Sequence, residues 1–84
     1  MQTISIYDGV RLLRDIDASL VNPKFDNETV RLPAGTEGAV VHVHGPADAP
    51  LAFEIEFELV PLKRYALASV DAIDVELTST APER

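Results

Sequence analysis

Apolar and acidic residues alternate strictly along Leu51-Ala-Phe-Glu-Ile-Glu-Phe-Glu58. Leu51, Phe53, Ile55 and Phe57 point one way; Glu54, Glu56 and Glu58 point the other. Alternation with a period of two predicts a β-strand with one buried and one wet face. Just upstream, Gly38-Ala-Val-Val-His-Val-His-Gly45 reads as its partner strand, joined through Gly45-Pro-Ala-Asp-Ala-Pro50. Simple alternation puts Ala39, Val41 and Val43 on one face of this strand and Val40, His42 and His44 on the other. Like faces must oppose. One register sets Val43 opposite Phe53, Val41 opposite Ile55, His44 opposite Ala52 and His42 opposite Glu54. A second sets Val43 opposite Leu51 and leaves His42 beside Ala52. A one-residue slip would bury the glutamates and is excluded.

The pattern is weaker away from this hairpin. Val10 and Leu12 alternate after Asp8-Gly9, which predicts a strand over residues 9–14 with a turn or bulge at its start. Residues 15–31 carry turn chemistry at Asn22-Pro23 and Asp26-Asn27, with a short helical turn expected over 18–21. Leu20, Val21, Phe25 and Val30 are too apolar for a free linker. The segment therefore reads as an ordered excursion that caps one end of a barrel, with Phe25 as its anchor. In Leu32-Pro-Ala-Gly-Thr-Glu-Gly38, Pro33 fixes φ and Gly35 supplies the positive φ of a type II-like turn, while Gly38 marks a bulge or close backbone crossing. Pro61 belongs at a strand start or edge. Tyr65-Ala-Leu-Ala-Ser-Val70 predicts a fourth strand with Tyr65, Leu67 and Ser69 on one face. A short 3₁₀ turn over 70–74 and a last strand at Val75 and Leu77 follow. The expectation is an all-β fold: a small, partly open five-stranded SH3-like barrel with a long first loop. Residues 1–78 form the single domain and 79–84 a flexible C-terminal tail.

Composition narrows the chemistry. The chain has 84 residues and no cysteine, so disulfides and thiolate metal sites are excluded. A chain this short buries only about 60% of its unfolded surface. No apolar run reaches the roughly 18 residues of a membrane span, and Met1-Gln-Thr-Ile-Ser-Ile-Tyr-Asp8 lacks the basic-then-apolar order of a secretory signal. The expected location is the cytoplasm, with no membrane contact. Fourteen acidic residues against seven basic ones give a formal charge of −7. Phosphate backbones are bound through Lys and Arg, so nucleic acid is a poor partner. A basic protein is a better one, because complementary charge speeds encounter.

Two groups of side chains stand out. His42 and His44 lie on one strand face about 7 Å apart. With Glu54 opposite they resemble a partial metal site, but two imidazoles without a third firm ligand do not make one, and no metal or other cofactor is assigned. Glu54, Glu56 and Glu58 form an acidic row that suits a basic partner and equally discourages edge-to-edge aggregation. Asp71, Asp74 and Glu76 lack the cleft that acid–base catalysis needs. No Ser/His/Asp arrangement, phosphate loop or dinucleotide signature is present. Catalysis is not expected; Glu54, Glu56, His42 and His44 are the expected partner-binding residues. An unpaired edge strand also allows a homo-oligomer.

Several segments in order (Tyr7-Asp8, Val10-Arg-Leu-Leu-Arg-Asp15, residues 32–43, Phe53-Glu-Ile-Glu-Phe57, Tyr65-Ala-Leu67 and Asp71-Ala-Ile-Asp-Val-Glu-Leu77) resemble a family of small uncharacterised bacterial SH3-like proteins. The likeness spans most of the chain, with a longer excursion at 18–30. It implies an antitoxin- or immunity-like role and carries over no catalytic residue. A shorter likeness, Val30-Arg-Leu-Pro33 with Gly35, Gly38 and Val43-His-Gly45, is similar to the SH3-like half of the nitrile hydratase β subunit and its activators. That likeness implies the alternative role of an accessory subunit of a larger enzyme.

Overall fold

The computed structural model describes residues 4–21, 28–60 and 63–81. Within them run β1 (Gly9–Leu12), β2 (Ile16–Leu20), β3 (Thr29–Leu32), β4 (Glu37–His44), β5 (Ala52–Leu59), β6 (Arg64–Asp71) and β7 (Val75–Ser79), with a 3₁₀ turn at Ala72–Asp74 before the last. All pair antiparallel in one sheet of order β3-β2-β6-β5-β4-β1-β7. The sheet is open, with β3 and β7 as its edges.

Every strand contributes apolar side chains to a single buried cluster. Phe57, Ile55 and Val40 are wholly buried, although no α-helix among the described residues covers this face. A sheet with no second layer can bury one face only by curling over it, and strand twist supplies that curl. Neighbouring side chains are matched in size across the strands. Ile55 lies between Val40 and Ala68, and Phe53 between Val43 and Val70.

The fold class is as expected, but the sheet has seven strands where five were read. The difference lies in residues 15–31. Ile16–Leu20 and Thr29–Leu32 pair with each other, and Ser19 and Leu20 pair onward to Leu67 and Ala66. The segment is therefore a hairpin added to the sheet edge, and the helical turn expected over 18–21 is absent. Ile16, Ala18 and Leu20 are buried while Asp17 and Ser19 are exposed, which is the alternation of a half-buried strand. The anchor role given to Phe25 and the edge role given to Pro61 fall outside the described residues. β1 ends at Leu12, short of the expected Arg14: the chain bends at residues 13–14, where the Leu13 amide donates to Asp74 O at 2.8 Å.

The second difference is a bulge. Val43 faces Phe53, His42 faces Glu54 and His44 faces Ala52, as in the first register, but Val40 faces Ile55 and Ala39 faces Glu56. The ladder shifts by one residue at Val41. The extra residue moves Val40 to the inner face and Ala39 to the outer one.

Turn chemistry at 33–36 is as read: Gly35 has φ +93°, and the Thr36 amide donates to Pro33 O at 3.2 Å. Asp8 is the one buried polar side chain among the described residues. Its carboxylate accepts the Ser5 amide at 2.8 Å and the Ala81 amide at 2.7 Å, so both ends of the described chain are held to one side chain. β7 runs to Ser79, and residues 82–84 lie outside the described set. No helix among the described residues is long and apolar enough to cross a membrane.

Candidate functional site

The outer face of β5 carries the acidic row, and each glutamate has different neighbours. Glu54 lies between His42 on β4 and Ser69 on β6, Glu56 between Ala39 and Leu67, and Glu58 beside Tyr65. Glu54 and Glu56 are half-buried and Glu58 is exposed.

At the Glu54 end, His44 Nε2 lies 3.4 Å from Glu54 Oε2. Neither side chain is buried, so even as a charged pair this is a surface contact worth about 0–1 kcal/mol. The His42 and His44 rings meet edge to face, with centroids 4.7 Å apart and planes at 71°. Among the described residues, no group of three or more His, Asp or Glu side chains is placed to hold a metal ion.

At the Glu56 end the outer face opens into a groove of about 510 Å³. Its floor is Gly9, Gly38 and Ala39, and Glu37, Glu56, Glu58, Tyr65, Thr78 and Ser79 stand around it. Three local features make it. The bulge at Val41 sets Ala39, rather than a valine, on the outer face. Glycine at position 9 lets β7 approach: a Cβ there would lie 2.5 Å from Ser79 Oγ and 3.0 Å from Thr78 Oγ1. Alternation on β4, β5 and β6 then aims Glu37, Glu56, Glu58 and Tyr65 outward.

The charges around this groove are not neutralised from within. Arg14 pairs with Asp74 at 2.9 Å, Arg31 with Asp17 at 3.2 Å and Arg64 with Glu28 at 2.8 Å, while Arg11 is bound to Glu76. Every described arginine is thus committed to a carboxylate outside the groove. Glu37 and Glu56 have no hydrogen-bond or ion-pair partner among the described residues. Glu58 has only the Tyr65 hydroxyl, which donates to its Oε2 at 3.3 Å.

That contact reports the local field. The charge of Glu58 pushes the Tyr65 phenol above its usual range; the hydrogen bond, desolvation and the charge of Glu56 act in the same direction. The folded-state pKa is raised above the unfolded one, so the stabilising contribution is present below the unfolded pKa and fades as pH rises through the folded one. Glu58→Gln is expected to lower the Tyr65 pKa toward the ordinary phenol value, measured by ultraviolet titration of tyrosinate. A Tyr65 titration that Glu58→Gln leaves in place would show that this carboxylate does not govern the groove's field.

All four residues read from sequence lie on this outer face, at two stations. Glu54, His42 and His44 form one group; Glu56 belongs to the groove. Glu37, Thr78 and Ser79 went unread, because only the pairing of β1 with β4 and β7 brings them together. Glu58 and Tyr65 were visible in the alternation of their own strands. No protein-family model, curated protein or solved structure matches this chain.

Proposed function

We propose that this protein is a non-catalytic interaction module that presents its acidic sheet face to a basic protein partner. The observation that carries the reading is the in-register row of Glu54, Glu56 and Glu58 on the outer face of β5, beside arginines already paired elsewhere. The formal charge of −7 points the same way. Unpaired charge on a sheet face steers a partner of opposite sign and fixes its orientation. Glu54, Glu56, His42 and His44 are the contact residues in this reading, and no reaction is assigned to the chain. The biological version is an antitoxin- or immunity-like protein of the cytoplasm that masks a basic partner. The SH3-like family reading is part of the same proposal; an all-β chain with the β4–β5 hairpin near the centre of its sheet is compatible with it.

The test compares the protein with its Glu54→Lys, Glu56→Lys double variant. Native co-purification at low salt, read by mass spectrometry, should return a basic protein with the unaltered chain and lose it with the variant. With that partner isolated, the association rate should fall about tenfold or more at low salt and converge with the unaltered rate as salt is added. Equal capture by both chains would overturn the acidic-face reading. Capture of a large metabolic enzyme by both would favour the accessory-subunit role.

A further inference from the structure

The acidic face is not uniform, and its groove end has the chemistry of a side-chain receptor. We infer that the groove between Glu37, Glu56, Glu58 and Tyr65 seats an arginine of an extended basic segment on the partner. This inference deepens the proposed interaction and rests on it.

Four observations point to arginine. First, the carboxylates of Glu56 and Glu58 stand two residues apart on one strand face, with backbone positions about 7 Å apart. A guanidinium is planar and carries five donors in a rigid fork, so it can reach two acceptors at once; a lysine ammonium is a compact point charge. Second, the Tyr65 ring is half-exposed beside these carboxylates, which gives a guanidinium an aromatic surface to stack on. Third, the floor is built of the small residues Gly9, Gly38 and Ala39, which leaves room above it for the methylene stem of an arginine. Fourth, the Thr78 and Ser79 hydroxyls add acceptors on the far wall. The volume, about 510 Å³, falls in the range of ligand clefts, roughly 300–1,000 Å³.

Charge complementarity decides the sign of the occupant. Three carboxylates, Glu37, Glu56 and Glu58, stand around the groove. No cation among the described residues occupies it. The Glu54 end differs: its carboxylate already has His44 Nε2 3.4 Å away. A basic segment therefore meets less competition at the groove.

The experiment titrates the isotope-labelled chain with a capped peptide of alternating arginine and glycine, followed by amide NMR at low salt. The control peptide carries citrulline at every arginine position, which keeps the side-chain form and removes the charge. The expected result is a saturable shift of the Gly9, Ala39 and Ser79 amides, absent with the citrulline peptide. Affinity should drop about tenfold in Glu56→Gln with Glu58→Gln. A lysine–glycine peptide should bind more weakly than the arginine one.

Shifts confined to the amides near His44 and Glu54, equal affinity in the glutamine variant, or equal binding of the lysine peptide would each overturn the inference. The two readings fail separately. A peptide that avoids the groove, with charge-sensitive capture of a basic protein intact, removes only the arginine seat. A peptide that sits in the groove, with capture unaffected by Glu54→Lys and Glu56→Lys, removes only the acidic-face function.

Discussion

Phe57→Ala is expected to destabilise the fold by about 3–5 kcal/mol. Phe57 is wholly buried at the centre of the sheet. It lies between two of the smallest residues in the core: Ala66 is its partner on β6, and Gly38 lies beside it on β4. Removing the ring opens a cavity that neither neighbour can fill. Because a single sheet curls over one core, no second layer can shift inward to close the gap. At roughly 0.05–0.15 kcal/mol per residue, 84 residues give a total stability of about 4–13 kcal/mol, so this one ring decides a large share of it. Urea denaturation followed by far-ultraviolet circular dichroism measures the loss. A midpoint within error of the unaltered protein would mean that the core is looser than the burial of Phe57 implies.

The strands that build this core were legible to different degrees. β5 announces itself, because its inner residues are large and its outer ones charged. β2 has the same alternation in Ile16-Asp-Ala-Ser-Leu20, yet its inner residue is a small alanine and its outer ones, Asp17 and Ser19, are poor strand formers. Local chemistry there favours turns, and pairing with β3 and β6 overrides it. The bulge in β4 could not be read locally. Ala39, Val40 and Val41 are all apolar, so nothing in the pattern marks which is the extra residue; the pairing of β4 with β5 places it at Val41. The same limit applies to the site. Glu54, Glu56, His42 and His44 share a face by register within one hairpin. The groove needs β1, β4, β5, β6 and β7 together, and the approach of β7 to Gly9 depends on sheet order rather than on any short motif.

Gly38 joins these themes, because it is both the floor of the groove and the slot beside Phe57. Gly38→Val is expected to destabilise by about 3 kcal/mol or more, and Gly38→Ala by roughly 1–3 kcal/mol. A Cβ at this position would lie 2.7 Å from Ile55 Cγ2, 2.8 Å from Phe57 Cδ1 and 2.9 Å from Glu56 O. The first two contacts are with core side chains that cannot rotate away, and the third is with backbone. Replacing glycine also restricts the unfolded chain, which stabilises by about 0.4–1 kcal/mol where the native geometry tolerates it. The clash is the larger effect, so the net sign is destabilising. Gly9→Ala provides the contrast: there the obstructing atoms are the hydroxyls of Ser79 and Thr78, which rotate aside, so the loss should be small. The decisive measurement is a double-mutant cycle of Gly38→Ala with Phe57→Leu. If Gly38 is glycine because the Phe57 ring fills its slot, the smaller leucine makes room for the new methyl, and the double variant loses less than the sum of the singles by about 0.5 kcal/mol or more. Strict additivity would place the cost of Gly38→Ala on the contacts with Ile55 Cγ2 and Glu56 O, leaving the ring without a part in the choice of glycine.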